Sequence, residues 1–175
     1  KPVILLYRPG LLPNVKETVD RWRKHLKEIG VGEVYLMCAY GSFGDTNTPN
    51  SYGFDAGFEF PPNILESHQL NFQSHPESAS NICKYGQFVA DVVNKRSLEL
   101  NKDINLFYSV MLEWDNSARR QEGASIFTNY SSLIYRKWLD KTIEITRLKH
   151  ESDKRYIFIN AWNEYLFALT FTSVE

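Results

Sequence analysis

The sequence predicts an α/β domain built on a mainly parallel sheet. Short apolar runs without polar alternation recur along the 175 residues, and such runs are typical of parallel strands covered on both faces. Stretches with apolar residues at helical spacing follow several of these runs. This alternation favours parallel strands joined by helices or loops, and we find no internal repeat.

The first third of the chain predicts a β-α-β unit followed by a third strand. The first strand is expected over residues 3–7 and ends at Arg8-Pro9-Gly10. A helix then begins near Val15 and ends at Gly30. Further strands are expected over residues 33–39 and 54–60, the second closed by a pair of prolines. The apolar stripe of the helix consists of Val19, Trp22, Leu26 and Ile29.

The remaining elements repeat the pattern. A polar loop precedes a helical stretch expected over residues 85–96, and a fourth strand is expected over residues 106–112. A long helix over residues 131–149 starts at a serine pair suited to N-capping and carries a stripe of Ile134, Trp138, Thr142 and Ile145. The last strand is expected over residues 156–160.

Composition excludes several functional classes. Hydrophobic residues make up 43% and charged residues 23% of the chain, which is ordinary for a globular domain. The net charge of -1 gives no broad attraction to nucleic acid or to an anionic membrane. Cys38 and Cys83 are expected to be free thiols, and the histidines show no metal-ligand spacing. We therefore expect no metal and no cofactor.

The ends of the sequence suggest a piece of a longer protein. The chain starts at Lys1 without an initiator methionine, a leader pattern or a stretch long and apolar enough to span a membrane. We expect a cytoplasmic location and no membrane span.

Polar side chains collect where the predicted strands end. In parallel α/β folds the carboxyl ends of the strands share one face, and that face holds the chemistry. We therefore expect one site to gather residues that are far apart in sequence: Tyr7, Arg8, Glu59, Trp114, Asp115, Asn116, Arg120, Trp162, Asn163 and Glu164.

The run after the last strand is typical of sugar chemistry. Trp162, Asn163 and Glu164 follow the apolar strand directly. A glutamate can act as acid or nucleophile at an anomeric carbon, an amide can bond hydroxyl groups, and an indole offers an apolar face to a pyranose. We interpret Glu164 as the candidate catalytic carboxylate and Glu59 as a second one.

Structural roles remain open for several of these residues. Glu59 could form an ion pair with Arg8, and Asp115 could cap the turn after its strand. Arg119 and Arg120 could be a solvated pair of charges.

Several separated motifs together resemble the WbsX-like family of polysaccharide and O-antigen biosynthesis, which is related to glycoside hydrolase family 99. The resemblance covers residues 1 to about 165. The motifs are Tyr7-Arg8-Pro9, Gly53-Phe54-Asp55-Ala56, Glu59-Phe60-Pro61-Pro62, Trp114-Asp115-Asn116, Ala118-Arg119-Arg120 and Asn160-Ala161-Trp162-Asn163-Glu164.

The resemblance implies the carboxyl-terminal part of a (β/α)8 barrel, about strands four to eight, in one partial domain over residues 1–175. Residues 166–175 depart from the family pattern. In the related hydrolases a second glutamate follows the one that Glu164 matches, and Phe167 stands at its position. The missing amino-terminal barrel segment is then an expected partner, and two open sheet edges would make the fragment poorly soluble alone.

Three functions remain as hypotheses. The first is a carbohydrate-active domain, a transferase or a hydrolase of surface polysaccharide or lipopolysaccharide O-antigen assembly, which binds a glycan or a sugar donor. The second is a glycan-binding remnant without catalysis. The third is a nucleotide-binding domain, which is disfavoured because the first strand is followed by Arg8-Pro9-Gly10-Leu11-Leu12-Pro13 rather than a glycine-rich phosphate loop.

Overall fold

The computed structural model describes residues 1–64, 73–74, 80–98, 104–120 and 122–161. A four-stranded sheet contains β1 (Val3–Leu6), β2 (Tyr35–Ala39), β3 (Ala56–Phe58) and β6 (Leu106–Phe107), and a two-stranded sheet contains β7 (Ser109–Met111) and β9 (Phe158–Asn160). Because β7 follows β6 almost directly in the chain, these two sheets together are called the main sheet. Its helices are α1 (Val15–Glu28), α2 (Tyr85–Leu98) and α3 (Ser132–Lys149). The predicted α/β class is confirmed.

Every described pairing in this main sheet is parallel. β1 pairs with β2, β2 with β3, and β3 with β6. Tyr108 alone separates β6 from β7, and β7 pairs with β9. Neighbouring strands of the main sheet therefore come in rising chain order. The predicted fourth strand is divided at Tyr108: its first part, β6, pairs with β3, and its second part, β7, pairs with β9.

A second, smaller sheet was not predicted. It contains β4 (Gln73–Ser74), β5 (Asn81–Lys84) and β8 (Ser125–Thr128), with β5 parallel to β8. β5 runs directly into α2, and β8 ends just before α3. β4 and β5 lie in the segment interpreted as a polar loop before α2, and β8 lies in a segment to which no element was assigned, because these strands lack a clear apolar pattern.

Helix α1 packs against one face of the sheet. Val19 is buried against Leu36 and Cys38 of β2, and Leu26 packs on the same cluster. The predicted boundaries hold, and Gly30 follows the helix with a φ of 84°, a conformation that favours glycine. The predicted apolar stripe of this helix is wrong at its last residue, because Ile29 follows the final turn and is exposed.

Helices α2 and α3 bury the largest apolar cluster of the described residues. Phe88 and Val92 of α2 meet Trp138 of α3 there. The predicted stripe of α3 is confirmed, with Trp138, Thr142 and Ile145 buried. Ser131 takes the N-cap position, but its side chain makes no capping hydrogen bond.

The opposite face of the sheet carries its own apolar layer. Met37 and Ala39 of β2, Phe58 of β3 and Phe107 of β6 form this cluster. Successive strand residues point to opposite faces, so residues next to these in sequence face the helices. This alternation decides which polar side chains can reach the pocket described below.

Candidate functional site

A pocket of about 480 Å³ opens where β1, β3, β7 and β9 end. Strands that are far apart in sequence contribute to it because they are parallel and their carboxyl ends lie together. Its described lining residues are Tyr7, Phe60, Pro62, Asn63, Trp114, Asn116, Arg119, Arg120, Ser125, Asn160 and Ala161. Four side chains predicted for the site are thus brought together: Tyr7, Trp114, Asn116 and Arg120.

Tyr7 forms one wall of this pocket. Its ring centre lies 4.4 Å from that of Phe60, with the ring planes tilted by 52°. Burial raises the pKa of Tyr7, and the nearby charges of Arg8, Arg119 and Arg120 oppose that shift. The phenol is therefore neutral and can donate or accept a hydrogen bond.

The loop after β7 forms the facing wall and is anchored at Asn116. The Ser125 N–H donates to Oδ1 of Asn116 at 2.7 Å, and the Phe127 N–H donates to the Trp114 carbonyl at 2.8 Å. Both partners belong to β8. The loop is therefore fixed to the small sheet, and Trp114 and Asn116 are held in place at the pocket.

Asp115 shapes the same loop. Its Oδ1 accepts a hydrogen bond from the Ser117 N–H at 2.8 Å, which is the turn-capping arrangement considered for it in the sequence. The N–H groups of Arg119 and Arg120 then donate to the Asn116 carbonyl at 3.0 and 3.1 Å. The turn displays two adjacent guanidinium groups at the rim of the pocket.

Two features of Trp114 bear on ligand binding. The guanidinium carbon of Arg119 lies 5.6 Å from the centre of a Trp114 ring, within the range of a cation-π interaction. The buried indole N–H has no hydrogen-bond acceptor among the residues that the structure describes. An indole at a pocket wall suits the apolar face of a sugar ring.

The end of β9 completes the described wall. The amide nitrogen of Asn160 donates to the Pro61 carbonyl, which ties β9 to the turn after β3. Ala161 follows with a φ of 59°, a left-handed conformation that costs a residue with a side chain about 1–2 kcal/mol. The chain therefore turns sharply at Ala161, immediately before Trp162.

Glu59 is not brought into the pocket. It is buried on the helix-covered face, where Nε of Arg96 donates to its Oε1 at 3.2 Å and a second guanidinium nitrogen donates to Oε2. The Ser109 N–H also donates to Oε2, at 3.0 Å. Its neighbour Phe60 points the other way and lines the pocket, as strand alternation requires.

Arg8 lies at a second pocket beside the first. This space of about 390 Å³ shares Tyr7 with the first pocket, and Gly10, Asp45 and Tyr52 line it as well. Asp45 accepts hydrogen bonds from Nδ2 of Asn47 at 2.9 Å and from the Tyr52 hydroxyl at 3.0 Å. Tyr7 therefore separates two adjoining spaces at the carboxyl edge of the sheet.

Comparison with known proteins identifies the family. The chain matches the family described as Glycosyltransferase WbsX over residues 1–167. The chain belongs to the WbsX family. The resemblance inferred from its motifs is confirmed, and the family associates the chain with carbohydrate chemistry.

Two curated relatives share this similarity. Both are called uncharacterized protein WxcX, from Xanthomonas campestris pv. campestris strains ATCC 33913 and B100. Each is 33% identical over 168 residues, which are 94% of this chain and 23% of the relative. The chain therefore spans about a quarter of the length of these relatives. No solved structure matches it.

Three of the residues that the WbsX resemblance assigns to the site lie outside the described residues. Trp162, Asn163 and Glu164 follow Ala161 directly, and Phe167 also lies beyond it. The expected departure from the family pattern over residues 166–175 falls in the same region. Their roles stay predictions.

The sequence analysis missed several contributors to this WbsX-family pocket. Phe60, Asn63, Ser125 and Asn160 line it, although only Phe60 and Asn160 belong to motifs named in the sequence and neither was assigned to the site. Glu113 also emerged: burial and, to a lesser extent, Asp115 raise the pKa of its carboxyl group. Position at a strand end was the available signal for Asn160 and Asn63, the latter bridging back to Phe60 just after β3, whereas Ser125 depends on the pairing of β5 with β8, which the sequence did not predict.

The described residues contain neither a metal-binding cluster nor a helix that could span a membrane. They contain no group of three or more histidine, cysteine, aspartate and glutamate side chains arranged to hold a metal ion. Across the same residues, every helix falls short of the length and apolar character needed to cross a membrane. Cys38 and Cys83 are free thiols, as predicted, and both are buried.

Proposed function

We propose that this chain forms part of a carbohydrate-active site that acts on a glycosidic bond in the assembly of surface polysaccharide or lipopolysaccharide O-antigen. The observation that carries the proposal is the pocket at the carboxyl edge of the sheet, where Trp114 and Tyr7 supply aromatic surface and Asn116 supplies an amide. Aromatic faces with a few polar groups are typical of sugar sites. Membership of the WbsX family supports it.

The proposed scaffold is about half of a (β/α)8 barrel. Two of its sheets, β1-β2-β3-β6 and β7-β9, contain parallel strands whose neighbours come in rising chain order, while β4, β5 and β8 form a sheet of their own. Parallel strands arranged along the chain in this way are compatible with such a barrel. In an open nucleotide-binding sheet the strand order would reverse at the ligand site. We infer that a further segment of the full-length protein completes the barrel beside β1 and β9.

We assign the pocket residues complementary roles. Trp114 and Tyr7 would pack against the apolar face of a sugar. Asn116 keeps its Nδ2 donors for a hydroxyl group because its Oδ1 is engaged by Ser125. Asp115 would position this loop, and Arg120 would contact the more polar end of the ligand.

Glu164 is the proposed catalytic carboxylate, with Trp162 and Asn163 beside it in the site. It follows the sharp turn at Ala161, whose neighbour Asn160 also lines the pocket. In a transferase or hydrolase it would act at the anomeric carbon as nucleophile or base. Glu59 is engaged by Arg96 on the opposite face, so we infer that it positions β3 and β7 rather than touching substrate.

A second function, glycan binding without turnover, is favoured by one residue. Phe167 stands where the related hydrolases have a second glutamate, and a phenyl ring cannot donate or accept a proton. Under this alternative the pocket would bind a glycan and release it unchanged.

Trp114→Ala tests sugar binding in the full-length protein. Loss of the indole face is expected to weaken glycan affinity by about tenfold, as removal of stacked aromatic area does. Binding would be measured by calorimetry against surface-polysaccharide oligosaccharides. Leu148→Ala, at an exposed position on α3, serves as control, and equal affinity in both variants would contradict the proposal.

Glu164→Gln separates the two functions. If the chain contributes to catalysis, this variant should keep glycan affinity and lose turnover by a factor of at least about a thousand, as the loss of a nucleophile or base does. A wild-type protein that binds glycan and shows no transfer or hydrolysis would establish the non-catalytic alternative instead.

A further inference from the structure

Three arginines meet around Tyr7 from two distant parts of the chain. Arg8 follows β1 and lines the second pocket, whereas Arg119 and Arg120 lie on the loop after β7 and line the first. Tyr7 belongs to both pockets. The positive charges of all three arginines also act on its hydroxyl group, so the fold gathers them at one place.

The turn fixes the backbone from which two of these arginines project. The backbone N–H groups of Arg119 and Arg120 donate to the Asn116 carbonyl. The guanidinium group of Arg119 also stacks over Trp114. Their side chains are exposed to solvent, so a ligand can reach them.

Arginine is the main charged residue type among the described lining residues. Arg119 and Arg120 are the charged side chains of the first pocket, and Arg8 and Asp45 are those of the second. Guanidinium groups on the walls of a cleft attract ligands of the opposite charge.

We infer that the site recognises an anionic group on its sugar ligand, a carboxylate or a phosphate, through Arg120 and Arg119 with Arg8 beside them. Guanidinium groups match both anions in geometry and can bind them with two parallel hydrogen bonds. This inference rests on the proposed function, because it specifies the charge of the sugar ligand. The anion has two sources: the carboxylate of a uronic acid in a glycan, or the diphosphate of a nucleotide-sugar donor.

Calorimetry on the full-length protein would test the inference with three probes. They are a glucuronate-containing oligosaccharide, a neutral glucose oligosaccharide of equal length, and UDP-glucose. We expect at least one anionic probe to bind about tenfold or more tightly than the neutral one, in line with a charged hydrogen bond. That preference should shrink as salt is added, because exposed charges are screened.

Arginine variants assign the preference to this site. Arg120→Gln and Arg119→Gln should each reduce the ratio of anionic to neutral affinity by about tenfold. The matched control is Arg136→Gln, which removes an exposed positive charge from α3 and should leave the ratio unchanged. Loss of the preference for glucuronate would identify a uronic acid, whereas loss of UDP-glucose binding would identify a phosphate donor.

The outcomes distinguish the two proposals. If the neutral oligosaccharide binds as tightly as both anionic probes, or if the arginine variants leave the ratio unchanged, the inference is overturned while sugar binding stands. If no probe and no surface-polysaccharide oligosaccharide binds, the proposed function fails and the inference fails with it.

Discussion

The ion pair between Glu59 and Arg96 is the most deeply buried charged contact among the described residues. Their side chains are 5% and 1% exposed. Arg96 also donates to the Thr142 hydroxyl at 2.8 Å and to the Ser109 carbonyl at 2.7 Å. The pair therefore connects β3 and β7 with α2 and α3. Because both side chains are buried, removal of either one would leave the other as an unpaired buried charge.

Arg96→Met should destabilise the protein by about 3–5 kcal/mol, because it leaves the Glu59 carboxylate buried and unpaired. Urea unfolding would measure the loss. Arg136→Met breaks an exposed ion pair with Asp140 and should change the free energy of unfolding by less than about 1 kcal/mol. The double variant Glu59→Leu with Arg96→Met should recover most of the loss, and a double variant no more stable than Arg96→Met would contradict this account.

His150 is a second residue with a structural role that the sequence did not indicate. The centre of the His150 ring lies 4.4 Å from that of Phe107, and the two ring planes are stacked 6° apart. Its Nε2–H donates to the Leu106 carbonyl at 3.0 Å. The contact links the end of α3 to β6, and only the folded backbone brings these residues together.

Stability should fall as the pH drops below the ordinary His pKa of 6.5. Burial lowers the pKa of His150 in the folded protein, so the unfolded chain binds this proton first and acid favours unfolding. The loss of stability begins near pH 6.5 and is complete below the lowered pKa that His150 has in the folded protein. Thermal unfolding of wild type and His150→Gln at about pH 7.5 and about pH 5.5 would test this. An equal pH dependence in both proteins would contradict it.

At the scale of elements, β3 depends on a glycine for its close contacts. A Cβ added to Gly57 would lie 2.9 Å from Cβ of Tyr40, 3.0 Å from Cγ of Pro49 and 3.2 Å from Cδ1 of Leu106. The first two atoms are the Cβ of Tyr40 and a ring carbon of Pro49, and neither can move easily without a shift of the backbone. β3 therefore packs closely because residue 57 has no side chain.

Gly57→Ala should destabilise the protein by about 1–3 kcal/mol through overpacking. Gly86→Ala is the control, because a Cβ added there would meet only the flexible end of Ile134, at 3.2 Å. Gly86 also lies in α2, where alanine is favoured over glycine. Chemical denaturation of both variants would measure the difference. A Gly57→Ala variant as stable as Gly86→Ala would show that the strand can shift to accommodate a methyl group.

The main strands and helices were predictable because their apolar patterns are local. The residues of α1 and α3 repeat at helical spacing, and strands such as Tyr35–Ala39 are nearly continuous apolar runs. The small sheet was not predictable, since β5 and β8 mix polar with apolar residues and owe their structure to pairing with each other. The break at Tyr108 was missed for the same reason.

For the candidate site, the convergence of strand ends was predictable and the direction of each side chain was not. Parallel strands place Tyr7 and Asn116 at one edge whatever the details of packing. Whether Glu59 faces the pocket or the helices depends on register, because a shift of one residue reverses every side chain in a strand.

At the scale of the whole molecule, the outermost described strands of the main sheet expose apolar side chains. Val3 and Leu5 of β1 are 50% and 44% exposed, and Ile159 of β9 is 43% exposed. β1 pairs with β2 alone and β9 with β7 alone among the described strands. Exposed apolar edge strands promote association with other chains.

The 175-residue segment expressed alone should therefore self-associate at micromolar concentration. Light scattering would measure its mass, and the double variant Val3→Lys with Leu5→Glu should remain smaller, because charged residues on an edge strand oppose pairing. Val31→Lys changes an exposed apolar residue outside the sheet and is the control. A monomeric segment with cooperative unfolding would contradict the prediction.

The anchoring of the loop after β7 has a consequence for how specificity can diversify. The Asn116 side-chain oxygen and the Trp114 carbonyl secure this loop to β8, whereas Arg119 and Arg120 project from the turn beyond the anchor. The arginine side chains proposed to meet an anionic group are therefore separate from the bonds that maintain the loop. Evolution can replace the arginines with neutral side chains, and so change which sugars are accepted, without redesigning the scaffold beneath them.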